Sequence, residues 1–315
     1  MRFYLSNTLL TLAWFSVTNA LGTLVARAVF EMVRRRAEAA GRAPGPQTLF
    51  AIRMLPLVLA SMFAFAVFLP VHWVAESREG TESFGTMLYV LAGVSLLLGA
   101  RSAIRIGGAM RACRALRRSW RQPASGGVIE DGSMPGMSLA GIFRTKVMVG
   151  RPVLDALSQD ELEVAVAHEI AHQRSRDNVK RFAMFAAADF LGFTRTGREL
   201  ERMWNAAVEC DADAVAVNGD AKRAANLASA LLKVARLRGA SSHVPGSPVW
   251  STFYQAALLE LRVRRLVTSP AAPSSSSPVP ALLLSLMMIS AYVAWTTGLS
   301  HAVHEVSEVM VRLIP

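Results

Sequence analysis

Long apolar runs without charged residues occur four times along the chain. They cover residues 4–26, 54–71, 83–100 and 281–299. Each run is long enough for a helix to cross the hydrocarbon core of a bilayer, which is roughly 30 Å thick. The first run follows a single arginine, which is also typical of a signal peptide, but it is longer than such signals usually are. The pattern predicts four transmembrane helices, with the first one retained.

Polar and charged residues return between the third and fourth runs, and the periodicity changes there. Partial alternation of apolar and polar positions predicts short strands within residues 126–149. Helical spacing follows, and Ser158 and Glu161 are placed as a capping box at the start of the first helix. The same spacing predicts further helices over residues 178–193, 197–217, 221–237 and 252–267.

This order of elements predicts a mainly α fold, in which a cytoplasmic α+β domain is inserted between the third and fourth transmembrane helices. Residues 1–122 would hold three spans and a basic juxtamembrane extension, and residues 123–267 the inserted domain. A Pro- and Ser-rich linker is predicted at residues 268–280, and the fourth span with a short tail at residues 281–315.

Composition and charge add an orientation to this picture. The chain is 52% hydrophobic and only 18% charged, which favours a multi-pass membrane protein. Six arginines lie between the first and second runs, whereas only Arg78 lies between the second and third. The positive-inside rule then places the inserted domain in the cytoplasm and both termini outside. The same rule and anionic lipid explain the net charge of +11, and no nucleic-acid motif accompanies the arginines, so nucleic acid is not an expected partner.

The segment His168-Glu169-Ile170-Ala171-His172 is an HExxH motif inside the predicted capped helix. Residues four apart share one face of a helix, so both imidazoles can bind a single zinc ion. Glu169 lies beside them and can take a proton from water activated by the metal. The motif therefore predicts a zinc site with Glu169 as the general base.

A catalytic zinc site needs a third protein ligand. Glu209 and Asp213 are four residues apart on a later predicted helix. Glu209 is the expected third ligand, and Asp213 is expected to accept a hydrogen bond from a ligand histidine. Asp177 is a second candidate brace or a cap for the following helix. His243, in a Gly-, Ser- and Pro-containing loop, is a candidate for stabilising an oxyanion.

The stretch LSQDELEVAVAHEIAHQRSRDN at residues 157–178, followed by ECDADAVA at 209–216, resembles the gluzincin metallopeptidases of membranes. Three predicted spans before the motif and one after it resemble the sensor-transducer proteases related to the Bla/Mec antirepressors, and the HtpX-like group is the runner-up. The resemblance implies a zincin-like protease domain in a bacterial inner membrane. It also implies one Zn²⁺ per chain, with His168, His172 and Glu209 as ligands, Glu169 as base and Asp213 outside the ligand set.

The resemblance carries an expected function with alternatives. The Bla/Mec transducers continue into an extracellular penicillin-binding sensor, and this sequence has only a short tail there. Direct β-lactam sensing is therefore not expected, and a separate sensor protein, the lipid bilayer or the short outer loop is the expected input. We expect an integral-membrane zinc endopeptidase that acts on protein or peptide substrates, with cleavage of a repressor in signal transduction as one role. The alternatives are membrane-protein quality control and a non-proteolytic receptor or scaffold with a structural zinc.

An extended substrate is expected to pair with an exposed strand edge, because the backbone of any peptide can add to a sheet in this way. The predicted strand nearest the motif lies within residues 142–149. This strand is therefore the expected substrate edge.

Overall fold

The computed structural model describes residues 2–70, 72, 85–119, 128–131, 136–238, 250–252 and 258–268. The predicted fourth span, residues 269–280 of the linker and His243 lie outside these ranges. The chain divides into two compact units. The described residues of the first unit lie within Met1–Ile104 and Ala187–Glu201, and those of the second lie within Arg105–Ala186 and Arg202–Ser276.

Three long apolar helices dominate the first unit, and each is long and apolar enough to cross a membrane. Helix α1 covers Arg2–Ala39. Helix α2 covers Pro46–Ser61 and continues as a π-helical turn over Met62–Phe68. Helix α3 covers Thr86–Ser119, and its residues after Ile104 belong to the second unit. The first three predicted spans thus correspond to three such helices.

The three helices contact one another through small and hydroxylated side chains. Gly22 on α1 faces Pro56 on α2 so closely that a Cβ at position 22 would lie 2.9 Å from the Pro56 Cα atom. The buried hydroxyls of Ser16 on α1 and Ser95 on α3 lie 2.6 Å apart. Such close crossings and interhelical hydrogen bonds are typical of helix packing in membranes. Polar residues within the first apolar run, such as Ser16, therefore contact neighbouring helices.

The second unit combines a four-stranded sheet with helices. The strands are β1 (Val128–Asp131), β2 (Met137–Ala140), β3 (Lys146–Gly150) and β4 (Trp250–Thr252). The helices that follow α3 in the chain are α4 (Arg151–Ala156), α5 (Gln159–Arg174), α6 (Asp177–Ala186), α7 (Arg195–Val217), α8 (Ala221–Arg238) and α9 (Leu259–Thr268). The first seven residues of α7 lie in the first unit.

The sheet has the order β1-β3-β2-β4. Strand β3 runs parallel to β1 and antiparallel to β2, so it is hydrogen-bonded on both sides. The expectation that this strand offers a free edge to substrate is therefore wrong. The alternation of residues predicted strands correctly, but strand order depends on long-range pairing that a local pattern does not contain. In the described part of the sheet, the edges are β1 and β4.

One hydrophobic core holds helix α5 against the sheet and against α8. Its most buried members include Leu139 on β2, Val149 on β3, Val164 on α5 and Leu231 on α8. A smaller cluster packs Ala109 and other residues of α3 against β2 and β3. Burial of one face of α5 against this core fixes the rotation of the helix, which decides where its histidines point.

Residues 187–201, which we call the span-bound segment, return to the first unit between α6 and the body of α7. The sequence pattern predicted a helix over 178–193, and this prediction is wrong beyond Ala186. Asp189 leaves the helical path because its carboxylate accepts hydrogen bonds from Arg53 on α2 and from the backbone of Gly192. A short 3-10 turn, Leu191–Phe193, follows before α7 begins.

Candidate metal centre

Helix α5 begins with the predicted capping box. The Ser158 hydroxyl accepts a hydrogen bond from the Glu161 backbone, and the Glu161 carboxylate accepts one from the Ser158 backbone. Glu161 also accepts hydrogen bonds from Ser229 and Lys233 on α8. These bonds fix the N-terminus of α5 and attach it to α8. The HExxH residues follow about two turns later on the same helix.

The two motif histidines and Glu209 on α7 meet at one buried point. The distance between His168 Nε2 and His172 Nε2 is 3.0 Å. Glu209 places Oε2 3.6 Å from His168 Nε2 and Oε1 3.7 Å from His172 Nε2. Each of the three side chains is at most 1% exposed. The cluster is able to hold a metal ion.

The spacing of these atoms tests whether zinc fits. Three atoms bound tetrahedrally to one zinc ion at about 2.0–2.1 Å lie about 3.4 Å from one another. The two imidazole nitrogens lie 3.0 Å apart, and each has a different Glu209 oxygen at 3.6 or 3.7 Å, so all of these separations are close to that value. Two imidazole nitrogens and one carboxylate oxygen are also a donor set that zinc enzymes use. The residues present therefore fit a zinc ion with little movement.

Each histidine is oriented by a carboxylate at its other ring nitrogen. His168 Nδ1 lies 2.9 Å from Asp213 Oδ1, and His172 Nδ1 lies 2.9 Å from Asp177 Oδ2. A proton on Nδ1 would be donated to the carboxylate, which leaves the Nε2 lone pair for a metal. Of the two roles considered from the sequence, the structure supports bracing, because Asp177 contacts the candidate ligand His172; Asp177 is the first residue of α6.

Arg262 on α9 joins the acidic side of the cluster. Its guanidinium donates to both oxygens of Asp213, at 2.8 and 2.6 Å, and its Nη1 lies 2.9 Å from Glu209 Oε2. The side chain is 1% exposed. A bidentate guanidinium pair fixes the carboxylate in position as well as in charge. Arg262 therefore holds the third candidate ligand and the brace of the first histidine together.

The charges of the cluster follow from these contacts. Burial opposes ionisation of Glu209, but the positive charge of Arg262 and the neighbouring histidines hold its pKa well below the usual value. Burial likewise opposes ionisation of Asp213, but Arg262 and His168 lower its pKa to about 2. Both carboxylates are therefore anionic at neutral pH, which is the form that binds a metal or accepts a hydrogen bond from a ligand.

Glu169 differs from the other acidic residues of the cluster. It is fully buried, and neither of its carboxylate oxygens has a hydrogen-bond partner among the described residues. Burial raises the pKa of Glu169, and the carboxylate of Glu209 raises it further. A buried carboxylate is costly unless another group, such as a water molecule, donates a hydrogen bond to it. A raised pKa also suits a group that must accept a proton and release it near neutral pH.

The sequence predicted five residues of this cluster, including Glu169 from the HExxH motif, but it missed Arg262. The HExxH spacing gave His168 and His172, and the spacing of four on one helix gave Glu209 and Asp213. Arg262 comes from a helix 49 residues further along the chain than Asp213. It lies in a run of similar arginines, so no local pattern separates it from them. Cys210 follows Glu209 in the chain and is buried, but it is not part of the cluster.

Two imidazoles and a carboxylate around one point, with a further buried carboxylate beside them, form an arrangement that zinc hydrolases use. Comparison with known proteins agrees with this class. Residues 136–241 match the model of peptidase family M48, and this range contains the HExxH motif and Glu209. The matched range is a third of the chain, and it supports a metallopeptidase of that family. It leaves both the Bla/Mec and the HtpX-like type open. No curated protein matches the chain significantly.

Proposed function

We propose that the protein is an integral-membrane zinc endopeptidase that hydrolyses peptide bonds of protein substrates. One observation carries the proposal: His168, His172 and Glu209 offer three ligand atoms within 4.8 Å of one another, and the buried Glu169 carboxylate beside them has no hydrogen-bond partner among the described residues. A structural zinc site has no use for such a carboxylate, whereas hydrolysis needs a base at this place. The M48 match over residues 136–241 supports the same conclusion.

Each residue of the cluster then has a task. His168, His172 and Glu209 would hold the zinc ion, which would supply Lewis acidity to the attacking water and the scissile carbonyl. Glu169 takes a proton from the attacking water and delivers it to the nitrogen of the leaving amine as the carbon–nitrogen bond breaks. Asp213 and Asp177 hold the histidine rings, and Arg262 holds Asp213 and Glu209.

A comparison of wild type with Glu169→Gln tests the proposal. Both forms are purified in detergent, loaded with zinc and incubated with an unstructured protein and with themselves, with and without a chelator. We expect both to bind one zinc ion and only wild type to cleave, in a chelator-sensitive way, because glutamine keeps the shape of glutamate but does not accept the proton. If both forms bind one zinc and neither cleaves, the alternative of a receptor or scaffold with a structural zinc replaces this proposal.

The orientation in the membrane is a further part of the proposal. The excess of arginine between the first two spans favours a cytoplasmic centre, with the N-terminus and the loop at residues 72–82 outside. Cysteine labelling tests this after Cys113 and Cys210 have been replaced by serine. A cysteine at Ser77 should react with an impermeant reagent in intact cells, and a cysteine at Ser275 should not. The opposite result inverts the orientation.

The substrate is proposed by resemblance. Repressor cleavage follows from the Bla/Mec type, and turnover of membrane proteins follows from the HtpX-like type. Comparison of the proteome of cells with wild type and with Glu169→Gln separates the two. A single cytoplasmic regulator that persists in the variant supports the first role, and accumulation of many damaged membrane proteins supports the second.

The substrate edge is proposed anew, because β3 is internal. Extended peptides add to free strand edges, and β1 and β4 are the edges of the described sheet. Proline removes the backbone N–H that such pairing needs. We therefore expect proline to raise KM when it replaces a residue whose backbone N–H points away from the sheet on the edge strand that binds substrate. The same kind of substitution on the other edge strand should leave KM unchanged.

A further inference from the structure

All three apolar helices of the first unit contact the span-bound segment, residues 187–201. On α1, the Asn19 side-chain amide donates to the Ala188 carbonyl at 3.0 Å and accepts from the Phe190 backbone at 3.1 Å. On α3, the Arg101 guanidinium stacks on the Phe193 ring, 4.1 Å from its centroid. A segment of this length that is bound by three separate spans is held by their mutual arrangement.

Helix α2 makes the strongest of these contacts through Arg53. Its Nη1 donates to Asp189 Oδ2 at 2.7 Å, and its Nε donates to Glu201 Oε1 at 2.8 Å. The side chains of Arg53 and Asp189 are 2% and 0% exposed. Arg53 directly precedes the apolar run at residues 54–71, and a buried guanidinium is costly unless it is paired with an anion. Arg53 therefore contacts the loop of the segment through Asp189 and the first two turns of α7 through Glu201.

One continuous helix, α7, connects the segment to the candidate ligand Glu209. The Thr194 hydroxyl donates to the Leu191 carbonyl and accepts from the Gly197 backbone, so the start of α7 is bound to the segment. Helix α7 is continuous from Arg195 to Val217. Glu201 precedes Glu209 by eight residues, which is about 12 Å along a helix. The segment and the candidate ligand Glu209 are therefore joined by one uninterrupted helix.

We propose that Arg53 and Asp189 are positioning residues, through which the arrangement of the three spans sets the position of Glu209. The proposal rests on Glu209 being a zinc ligand. It makes the bilayer an input to the metal centre, because spans tilt or slide when the thickness of the hydrocarbon core changes. Tilting of the spans moves the segment through Arg53, Asn19 and Arg101, and α7 carries the movement to the ligand.

The test measures zinc affinity as a function of bilayer thickness. The full chain is placed in nanodiscs of phosphatidylcholines with 14-, 18- or 22-carbon chains, and the zinc dissociation constant is measured by competition with a chelating dye. We expect wild type to change by about fivefold or more across the series, which is the usual lower range of coupling between sites. The double variant Arg53→Leu/Asp189→Leu should bind zinc with a constant that no longer depends on thickness.

A matched control separates coupling from general loosening of the spans. Ser16→Ala/Ser95→Ala removes a buried hydrogen bond between α1 and α3 that does not involve the segment. This variant should keep the thickness dependence of wild type. A wild-type constant that is the same in all three bilayers overturns the proposal, as does a double leucine variant that responds as wild type does.

A second variant covers the case in which the double leucine variant does not fold. A Cβ at Gly197 would overlap the Leu191 carbonyl oxygen, so Gly197→Ala must push the start of α7 away from the segment. We expect weaker zinc binding, by about fivefold or more, and an altered response to thickness, with the ion pair intact. Unchanged zinc binding contradicts the proposal. Zinc affinity needs no hydrolysis, so a chain that binds zinc and cleaves nothing overturns the peptidase proposal alone.

Discussion

Two buried arginines in this protein each bridge a pair of carboxylates, one in each unit. Arg262 joins Asp213 and Glu209 at the metal centre, and Arg53 joins Asp189 and Glu201 among the apolar helices. The difference lies in the carboxylates. Both partners of Arg262 are buried and face the histidines, whereas Glu201 is 40% exposed and Asp189 belongs to a loop. The same ionic arrangement holds a candidate metal ligand in one unit and a chain segment in the other.

Each buried arginine is stabilised by the two carboxylates that it bridges. Removing one member of a buried ion pair leaves the other charge uncompensated, at a cost of about 3–5 kcal/mol. At the candidate metal centre, loss of Arg262 should therefore weaken zinc binding and hydrolysis. In the first unit, loss of Arg53 should instead shift the start of α7.

The largest effect is expected from Arg262→Met. Loss of the guanidinium leaves two buried carboxylates beside each other, so zinc affinity and kcat/KM should fall by about 100-fold or more. Arg264→Met is the matched control, because Arg264 is exposed on the same helix. Dye competition and peptide hydrolysis measure the two quantities. If Arg53→Met weakens zinc binding more than Arg262→Met does, the contrast between the two arginines is wrong.

The next effect is expected from the carboxylates that hold the histidine rings. Asp213→Asn and Asp177→Asn should each weaken zinc binding by about 10- to 100-fold, because a neutral amide no longer favours the Nδ1 proton. Asp213→Asn should cost more, since it also removes a partner of Arg262. Asp155→Asn is a control at an exposed position. Equal affinity of Asp177→Asn and wild type would show that only one histidine is oriented in this way.

A smaller effect is expected on stability from Glu161. Burial alone would raise the pKa of its carboxyl, but Lys233, Ser229 and the Ser158 backbone lower it from 4.5 to about 2. A pKa depressed in the folded state contributes stability above pH 4.5 and loses it as the pH falls toward 2. Glu161→Gln should lower the free energy of unfolding by about 1–3 kcal/mol at pH 7. The melting temperature of Glu161→Gln, measured in detergent from pH 7 to pH 3, should approach that of wild type as the pH falls.

The smallest effect is expected from Glu201→Gln. Its carboxylate is 40% exposed, so water replaces much of the lost interaction with Arg53. The expected loss of stability is below about 1 kcal/mol, which is typical of exposed pairs. Asp189→Asn is the comparison, because it changes the fully buried partner of the same arginine. Melting temperatures that fall equally in both variants would show that exposure does not separate the two partners.

The sequence predicted those parts of the molecule whose signals are local. The capping box and the HExxH spacing are set within one helix, and Glu209 and Asp213 share a face of another. The first three spans are visible as apolar runs. Each of these predictions used residues that lie within a few turns of one another.

The parts that the sequence did not predict depend on long-range contacts. The pattern after Asn178 is helical in character, but an ion pair with Arg53, 136 residues away in the chain, draws Asp189 out of the helix. Strand β3 became internal because β1 and β2 both pair with it. Arg262 reaches the cluster from a separate helix. No periodicity in one segment contains these pairings.

The close crossing of α1 and α2 has a consequence for sequence variation. Position 22 leaves no room for a side chain against Pro56, whereas Gly93 and Gly99 on α3 have open space around them. A library of all single substitutions, selected for expression in the membrane, should therefore retain only glycine at position 22. The same library should accept alanine and larger apolar residues at positions 93 and 99, so three glycines that look alike in the sequence would differ in mutational tolerance.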